Sequence, residues 1–517
     1  MTFEIVFVLL SLLGMVAALI ADKMRPGMIL FSVVVLFLCA GILTPKEMLE
    51  GFSNKGMITV ALLFLVSEGI RQSGTLGQVI KKLLPQGKTT VFKAQLRILP
   101  SVAFISAFLN NTPVVVIFAP IIKHWAKSVN LPATKFLIPL SYVTILGGIC
   151  TLIGTSTNLV VHGMILEAGF EGFSMFELGK VGVFIAIAGI IYLFLFSKRL
   201  LPDARPDTAV PDEEVEEGEK LHRVEAVLGA RFPGINKKLK DFNFQRHYGA
   251  EVKEIKTRNG QRFVTNLEDI VLHEGDTLVV MADDTFIPTW GESSVFVLLT
   301  NGNEPDTTGK KKRWFALLLL VLMIVGATVG ELPITKEMFP DIKLDMFFFV
   351  SITTIIMAWT NLFPARKYTK YISWDILITI ACAFAISKAM VNSGVADSVA
   401  KFIIGLSDDY GPHVLLAMVF IITNLFTELI TNNAAAALAF PLALSISAQL
   451  GVSPTPFFVV ICMAASASFS TPIGYQTNLI VQGIGNYKFT DFVRIGLPLN
   501  IITFLISIIL IPLIWNF

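Results

Sequence analysis

Twice in this chain a long apolar segment carries two adjacent asparagines near its middle: Asn110-Asn111 within 93–127 and Asn432-Asn433 within 411–448. Hydrocarbon offers no partner to a pair of amides, so neither segment reads as a simple membrane-crossing helix. A re-entrant helical hairpin with the asparagine pair at its tip resolves the conflict. The rest of the chain makes a bilayer the expected solvent. Of 517 residues 54% are hydrophobic and only 15% are charged, whereas soluble domains carry about 25% charged residues. Lys+Arg minus Asp+Glu is 41 − 39 = +2, which leaves no large basic face for nucleic acid.

Ten further apolar runs are long enough to cross a membrane, which takes about 20 residues. In the first half they are 3–21, 27–44, 56–72, 132–168 and 178–197; in the second, 314–331, 346–362, 372–391, 455–484 and 491–515. The first reads as a retained span and not a cleaved signal peptide, because no small-residue cleavage site follows it. Two runs are interrupted. Gly147-Gly148 and Gly154-Thr155-Ser156-Thr157-Asn158 break 132–168, and Ser470-Thr471-Pro472-Ile473-Gly474-Tyr475-Gln476-Thr477-Asn478 breaks 455–484. Unwound, hydroxyl-rich backbone at membrane depth implies a protein-enclosed hydrated cavity. The four cysteines, Cys39, Cys150, Cys382 and Cys462, lie in apolar surroundings and read as buried small hydrophobes.

The halves repeat. Gly154-x-x-Thr157-Asn158 recurs as Gly474-x-x-Thr477-Asn478, Ser73-Gly74 as Ser393-Gly394, and Asn111 to Pro120 as Asn432 to Pro441, at offsets of 320, 320 and 321. Five spans per half is an odd number, so the halves must be inverted in the membrane. Basic residues agree with that topology: Lys23, Arg25, Lys81, Lys82, Lys88, Arg97, Lys123–Lys127, Lys198-Arg199, Lys310–Arg313 and Arg366 to Lys370 fall on one side. Glu167, Glu171, Glu177 and Asp408-Asp409 fall on the other. Both termini are then outside and the first hairpin enters from the cytoplasm. One insert, 205–305, interrupts the pattern. It opens on an acidic run (Asp212 to Glu217) and continues with period-two segments at 224–228, 250–256, 262–264 and 277–281 and an Asn259-Gly260 turn. It reads as a small cytoplasmic α/β domain, with a basic edge at Arg231, Lys237, Lys238 and Lys240 that is either a solvated surface or an anion site.

Hairpin tips and broken helices both present helix ends. N-terminal ends offer free N–H groups and partial positive charge to an anion, and C-terminal ends and unwound carbonyls offer oxygens to a small hard cation. One set per half suggests two cation sites flanking one anion site. No Lys or Arg lies in either tip or either break. Glu428 is the one carboxylate near a tip, either a proton or cation relay or a structural cap, the cap being favoured. There is no GxxxxGK[ST] or HExxH, which argues against an enzyme and against an ATP-driven pump.

At this point the motifs resemble the divalent anion–sodium symporter family of the ion transporter superfamily, over roughly 400 residues (both membrane halves). Thr151 to Asn158 and Thr471 to Asn478 are similar to its sulfate-permease-like branch, and Gly229-x-x-Phe-Pro-Gly234 with Gly275-Asp276-x-Leu278 resembles an RCK C-terminal domain. The resemblance implies an elevator mechanism in a homodimer. It implies one sodium site from Ser106, Asn110, Asn111 and Gly154, and a second from Thr427, Asn432, Gly474 and the carbonyl of Ile430. It assigns Asn111, Thr112, Thr155, Asn432, Asn433 and Tyr475 to the substrate. Both tips depart from the family's Ser-Asn-Thr. Ser156-Thr157 and Gln476-Thr477 stand where the dicarboxylate members have Pro-Pro, which favours a small oxyanion.

The expectation is therefore an all-α polytopic membrane protein of the cell membrane: repeat 1 over 1–200, an RCK-like cytoplasmic domain over 205–305 and repeat 2 over 310–517. Its expected work is sodium-coupled symport of a divalent anion, sulfate first, with Na⁺ as coupling ion and no organic cofactor. Partners would be the lipid bilayer, a second copy of the chain and a nucleotide-like ligand at the insert, but no nucleic acid. A C4-dicarboxylate symporter, an anion sensor signalling through the insert, and a channel are the alternatives.

Overall fold

A computed structural model describes residues 3–21, 24–203, 222–229, 232–257, 261–283, 286–290, 295–300, 309–339, 341–405 and 411–517. Lys23, the acidic run 212–217, Arg231, the Asn259-Gly260 turn and Asp408-Asp409 lie outside the described residues.

Helices of eight residues or more build the membrane body. In the first half they are α1 (Phe3–Ala21), α2 (Pro26–Cys39), α3 (Lys55–Gln72), α4 (Thr75–Leu83), α5 (Val91–Ser106), α6 (Asn111–Ser128), α7 (Leu137–Gly148), α8 (Ser156–Glu167) and α9 (Gly179–Leu200). In the second half they are α10 (Lys310–Gly330), α11 (Met346–Trp359), α12 (Trp374–Asn392), α13 (Val395–Gly405), α14 (Gly411–Leu429), α15 (Asn432–Leu450), α16 (Thr455–Ser466), α17 (Gln476–Gly485) and α18 (Phe489–Ile514). Among the described residues, eight helical stretches are long and apolar enough to cross a membrane, α14 and α15 among them, although the sequence reads those two as hairpin legs. Large apolar side chains such as Leu10, Phe104, Ile187, Trp314 and Leu513 point outward, as expected where the solvent is lipid.

Two helices fall outside the apolar runs and hairpins of the sequence. α4 and α13 are short amphipathic helices that follow the Ser73-Gly74 and Ser393-Gly394 pairs. Both glycines adopt positive φ (70° and 74°), which turns the chain sharply between a span and the helix after it. The cysteines are all free, but only Cys382 and Cys462 are buried. Cys150 is partly covered and Cys39 is exposed at the end of α2, because that helix turn faces outward.

The insert forms a five-stranded antiparallel sheet of order β3-β2-β4-β1-β5, from β1 (His222–Leu228), β2 (Glu251–Lys256), β3 (Arg262–Phe263), β4 (Thr277–Ala282) and β5 (Phe296–Thr300). The first four strands lie where period two places them, and β5 is an addition. An aromatic cluster of Phe232, Phe242, Phe244, Tyr248 and Phe296 fills one face. Val227 of β1 instead joins the main core of the membrane body, so the insert sits directly on the helices.

Candidate binding site at the hairpin tips and helix breaks

Each break is held open by its own side chains. Asn158 Nδ2 donates to the carbonyls of Thr151 (2.8 Å) and Gly148 (3.4 Å), and Thr151 Oγ1 accepts from the Gly154 N–H (3.2 Å). In the second half Asn478 Nδ2 donates to the carbonyls of Ser468 (2.9 Å) and Thr471 (3.1 Å), and Thr471 Oγ1 accepts from the Gly474 N–H (3.3 Å). These bonds satisfy carbonyls that unwinding would orphan. The threonines also tie each break to a hairpin, because Thr151 donates to the Ala107 carbonyl and Thr471 to that of Glu428. Close approach explains the glycines. A Cβ at Gly154 would lie 2.5 Å from the Gly148 carbonyl oxygen, and one at Gly474 would lie 1.9 Å from Ser468 Oγ.

The tips follow the same rule. Ser106 Oγ donates to Asn111 Oδ1 at 2.8 Å, and Thr427 Oγ1 donates to Asn432 Oδ1 at 2.8 Å. Each tip then reaches the break of the opposite half. Asn111 Nδ2 donates to the Tyr475 hydroxyl (2.6 Å) and Thr112 Oγ1 to Gln476 Oε1 (3.3 Å). Asn433 Oδ1 accepts from Ser156 Oγ (3.3 Å) and Thr157 Oγ1 (3.2 Å). Thr112–Gln476 and Asn433–Ser156 join positions matched by the sequence offset. At the centre Thr155 and Tyr475, themselves 320 residues apart, share a hydrogen bond of 3.1 Å.

The consequence is electrostatic. α6, α8, α15 and α17 begin at Asn111, Ser156, Asn432 and Gln476, and none of the four has a side-chain cap on its first N–H groups. Four uncapped N-termini are thus linked through one polar knot. Each supplies unpaired N–H donors and about half a unit of positive charge, which suits an anion. Beside the knot, Ser106, Asn111, Thr427 and Asn432 offer neutral oxygens close to unwound backbone, the donor set a small hard cation takes.

Most residues expected from the sequence meet here: Ser106, Asn111, Thr112, Gly154, Thr155, Thr427, Asn432, Asn433, Gly474 and Tyr475. Asn110 is the N-cap residue of α6 by position, without a side-chain cap bond, and Ile430 is a buried residue just after α14. Sequence reasoning did not single out Ser141, which donates to Thr477 Oγ1 (2.9 Å) and Asn478 Oδ1 (2.7 Å), or Asn500. Asn500 Nδ2 donates to Glu428 Oε1 (2.7 Å) and Ser470 Oγ (2.8 Å), and the Ser470 N–H donates to the same Glu428 oxygen (2.9 Å). A lone amide in the apolar run 491–515 was the available signal.

The comparison that decides the family is a match to the citrate transporter model over residues 16–445 and 342–516. The chain belongs to the citrate transporter family. Among its relatives, an uncharacterized transporter of Synechocystis is 30% identical over 94% of this chain and 93% of its own length. A Chlamydomonas reinhardtii protein named for regulating the sulfur deprivation response is 28% identical over 93% of this chain and 96% of its own. A further protein of that alga, named as a probable sodium/sulfate cotransporter, is 23% identical over 93% and 85%. As a member of this family the chain is a multi-pass membrane transporter.

Proposed function

We propose that this transporter is a sodium-coupled symporter of a divalent anion, with sulfate as the first choice of substrate. The observation that carries the reading is the linkage of four uncapped helix N-termini through the Thr155–Tyr475 bond, with neutral side chains alone in the knot. A dianion held by neutral donors needs co-bound cations to balance it. One sodium ion would lie with Ser106, Asn110, Asn111 and Gly154, and the other with Thr427, Ile430, Asn432 and Gly474. Asn111, Thr112, Thr155, Asn432, Asn433 and Tyr475 would hold the anion. The name of the cotransporter relative supports sulfate and sodium.

The two halves are read as inverted repeats in an elevator-type homodimer, with the insert a cytoplasmic RCK-like domain that takes a nucleotide or similar anion. At least two Na⁺ per dianion keep the potential, about 2.3 kcal/mol per charge per 100 mV, from opposing uptake. Labelled sulfate should accumulate in proteoliposomes only with an inward Na⁺ gradient, and Asn111→Ala or Asn432→Ala should abolish that uptake. Sodium-independent uptake of normal size would sink the coupling. Counterflow against succinate and citrate separates sulfate from carboxylate substrates. A sensor is the second reading, favoured by the sulfur-deprivation name of one relative. Removing 205–305 distinguishes them, because a sensor loses its signal without ever transporting, whereas a carrier keeps moving its anion.

A further inference from the structure

The insert does not hang free in solvent. Its β1 and the turn before β4 rest on α6 and α17, the two helices whose N-terminal turns carry Asn111 and Gln476. On α6, Lys123 Nζ stands 3.0 Å from each carboxylate oxygen of Glu225, the pair being largely buried (24% and 16% exposed). Lys256, only 3% exposed, backs the same carboxylate at 3.4 Å. On α17, a Cβ built at Gly275 would lie 3.4 Å from Leu479 Cδ2, and one at Gly483 would lie 2.4 Å from Thr277 Oγ1. Lys123 lies 123 − 111 = 12 residues from the start of α6, or about 18 Å along it at 1.5 Å per residue. The dock thus grips α6 at its far end and α17 along its length, from Leu479 in its first turn to Gly483, while the first turns of both helices frame the anion site.

The dock is also imperfect. Thr277 Oγ1 is buried against Gly483 with no hydrogen-bond partner, and neither amide atom of the adjacent, buried Gln482 has one. Buried polar atoms without partners favour separation, because water satisfies them. A strong ion pair opposed by unsatisfied polar atoms is the balance of a joint that opens and closes.

We propose that the insert is a releasable brake: docked through Glu225–Lys123 and Gly275/Thr277–α17, it immobilises α6 and α17 and so slows rearrangement of the anion site. Release frees both helices. This rests on the reading that their N-terminal turns hold the anion, so the test measures mobility and transport separately. Hydrogen exchange is followed on the full-length protein in lipid nanodiscs, beside sodium-driven sulfate uptake. Glu225→Ala releases the dock from the insert side and Gly483→Ala from the helix side, where alanine is the better helix former. Both should raise exchange roughly fivefold in β1 and in the first turns of α6 and α17, and raise the maximal uptake rate with KM unchanged. Thr277→Val, which removes the unpaired hydroxyl, should shift both readouts the opposite way. Faster exchange in β1 with unchanged first turns overturns the brake, as does faster exchange at the site with unaltered uptake in an active carrier. Absence of sulfate uptake by the wild type, with the exchange pattern as expected, leaves the brake standing and refutes the sulfate reading alone.

Discussion

The two hairpins make the same bonds at their tips but stand on different ground. Ser106–Asn111 and Thr427–Asn432 are both 2.8 Å, and both hairpins accept a threonine hydroxyl from the neighbouring break. Behind the first tip that carbonyl belongs to Ala107, which lines an apolar cavity of ≈ 390 Å³ with Phe104, Phe108, Gly147, Phe176 and Val183. Behind the second it belongs to Glu428, whose side chain binds the Ser470 N–H and Asn500 of α18. Where the first half leaves an open apolar groove between α5, α7 and α9, with the outward-facing Phe104 and Ile187 in its wall, the second builds a polar network between α14, the break and α18. A hairpin tied by side-chain hydrogen bonds is harder to shift than one flanked by an open apolar groove. The pseudo-symmetric site is therefore mounted on one stiff arm and one compliant arm.

Removing the anchor should have the largest effect. Glu428→Ala copies the first half into the second, but it leaves the Ser470 N–H and one of the two N–H groups of Asn500 without an acceptor. At about 1–3 kcal/mol for each unsatisfied group, the loss should be roughly 2–6 kcal/mol. Thermal unfolding of the purified protein should show a clear drop in Tm, and Glu428→Gln, which keeps one acceptor, a smaller one. An unchanged Tm for Glu428→Ala would mean that the network anchors nothing.

The asparagines that hold the breaks give a finer test. Asn158→Leu and Asn478→Leu each orphan two carbonyls, so both should destabilise by about 2–4 kcal/mol. Asn478 also accepts from Ser141, whereas Asn158 Oδ1 is buried with no partner. Asn478→Leu should thus cost about 1 kcal/mol more. Equal losses would show that the Ser141 bond is energetically silent.

Much of this asymmetry was hidden in the sequence for a physical reason. Helix breaks and tips were legible because Asn, Gly and hydroxyl residues inside apolar runs can persist only where backbone is unwound and enclosed. The repeat was legible because Gly154/Gly474 and Asn111/Asn432 answer to the same backbone constraint in each half. Cross-bonding between tip and opposite break, as in Thr112–Gln476, depends on how the halves are packed and leaves no local pattern. Neither does the Lys123–Glu225 dock, which joins two residues 102 apart with ordinary surface-type identities. α4 and α13 were overlooked because amphipathic helices of 9 and 11 residues fall below the length of a span. β5 was overlooked because Phe296–Thr300 runs apolar without alternation, the pattern that short buried strands share with helices.

The compliant arm should tolerate change that the stiff arm does not. Ala107→Val places two methyl groups into the apolar cavity, and added packing there should alter stability by less than about 1 kcal/mol. Gly147→Ala on the same wall should not be tolerated, because its Cβ would lie 2.1 Å from the Ala103 carbonyl oxygen and would force α7 from α5. A cavity that rejected Ala107→Val as strongly as Gly147→Ala would be filled by lipid or by motion of α9, and the contrast between the two arms would weaken.

The smallest effect concerns pH, and it separates the dock from the arms. Burial pushes the Glu225 carboxyl up, but the Lys123 and Lys256 ammoniums outweigh it and hold the group at about 2. The share of that depression due to Lys123 exists only while the insert is docked, so its stabilisation is full above the undocked value, which Lys256 keeps below the usual 4.3, and is lost as pH falls toward 2. Between pH 5 and 8 the docked fraction should not change, so hydrogen exchange in β1, corrected for its intrinsic rate, should be flat across that range. Below about pH 4 it should rise, and Glu225→Ala should abolish the rise. A step near pH 6 to 7 in the wild type would instead point to a different titrating group at the joint.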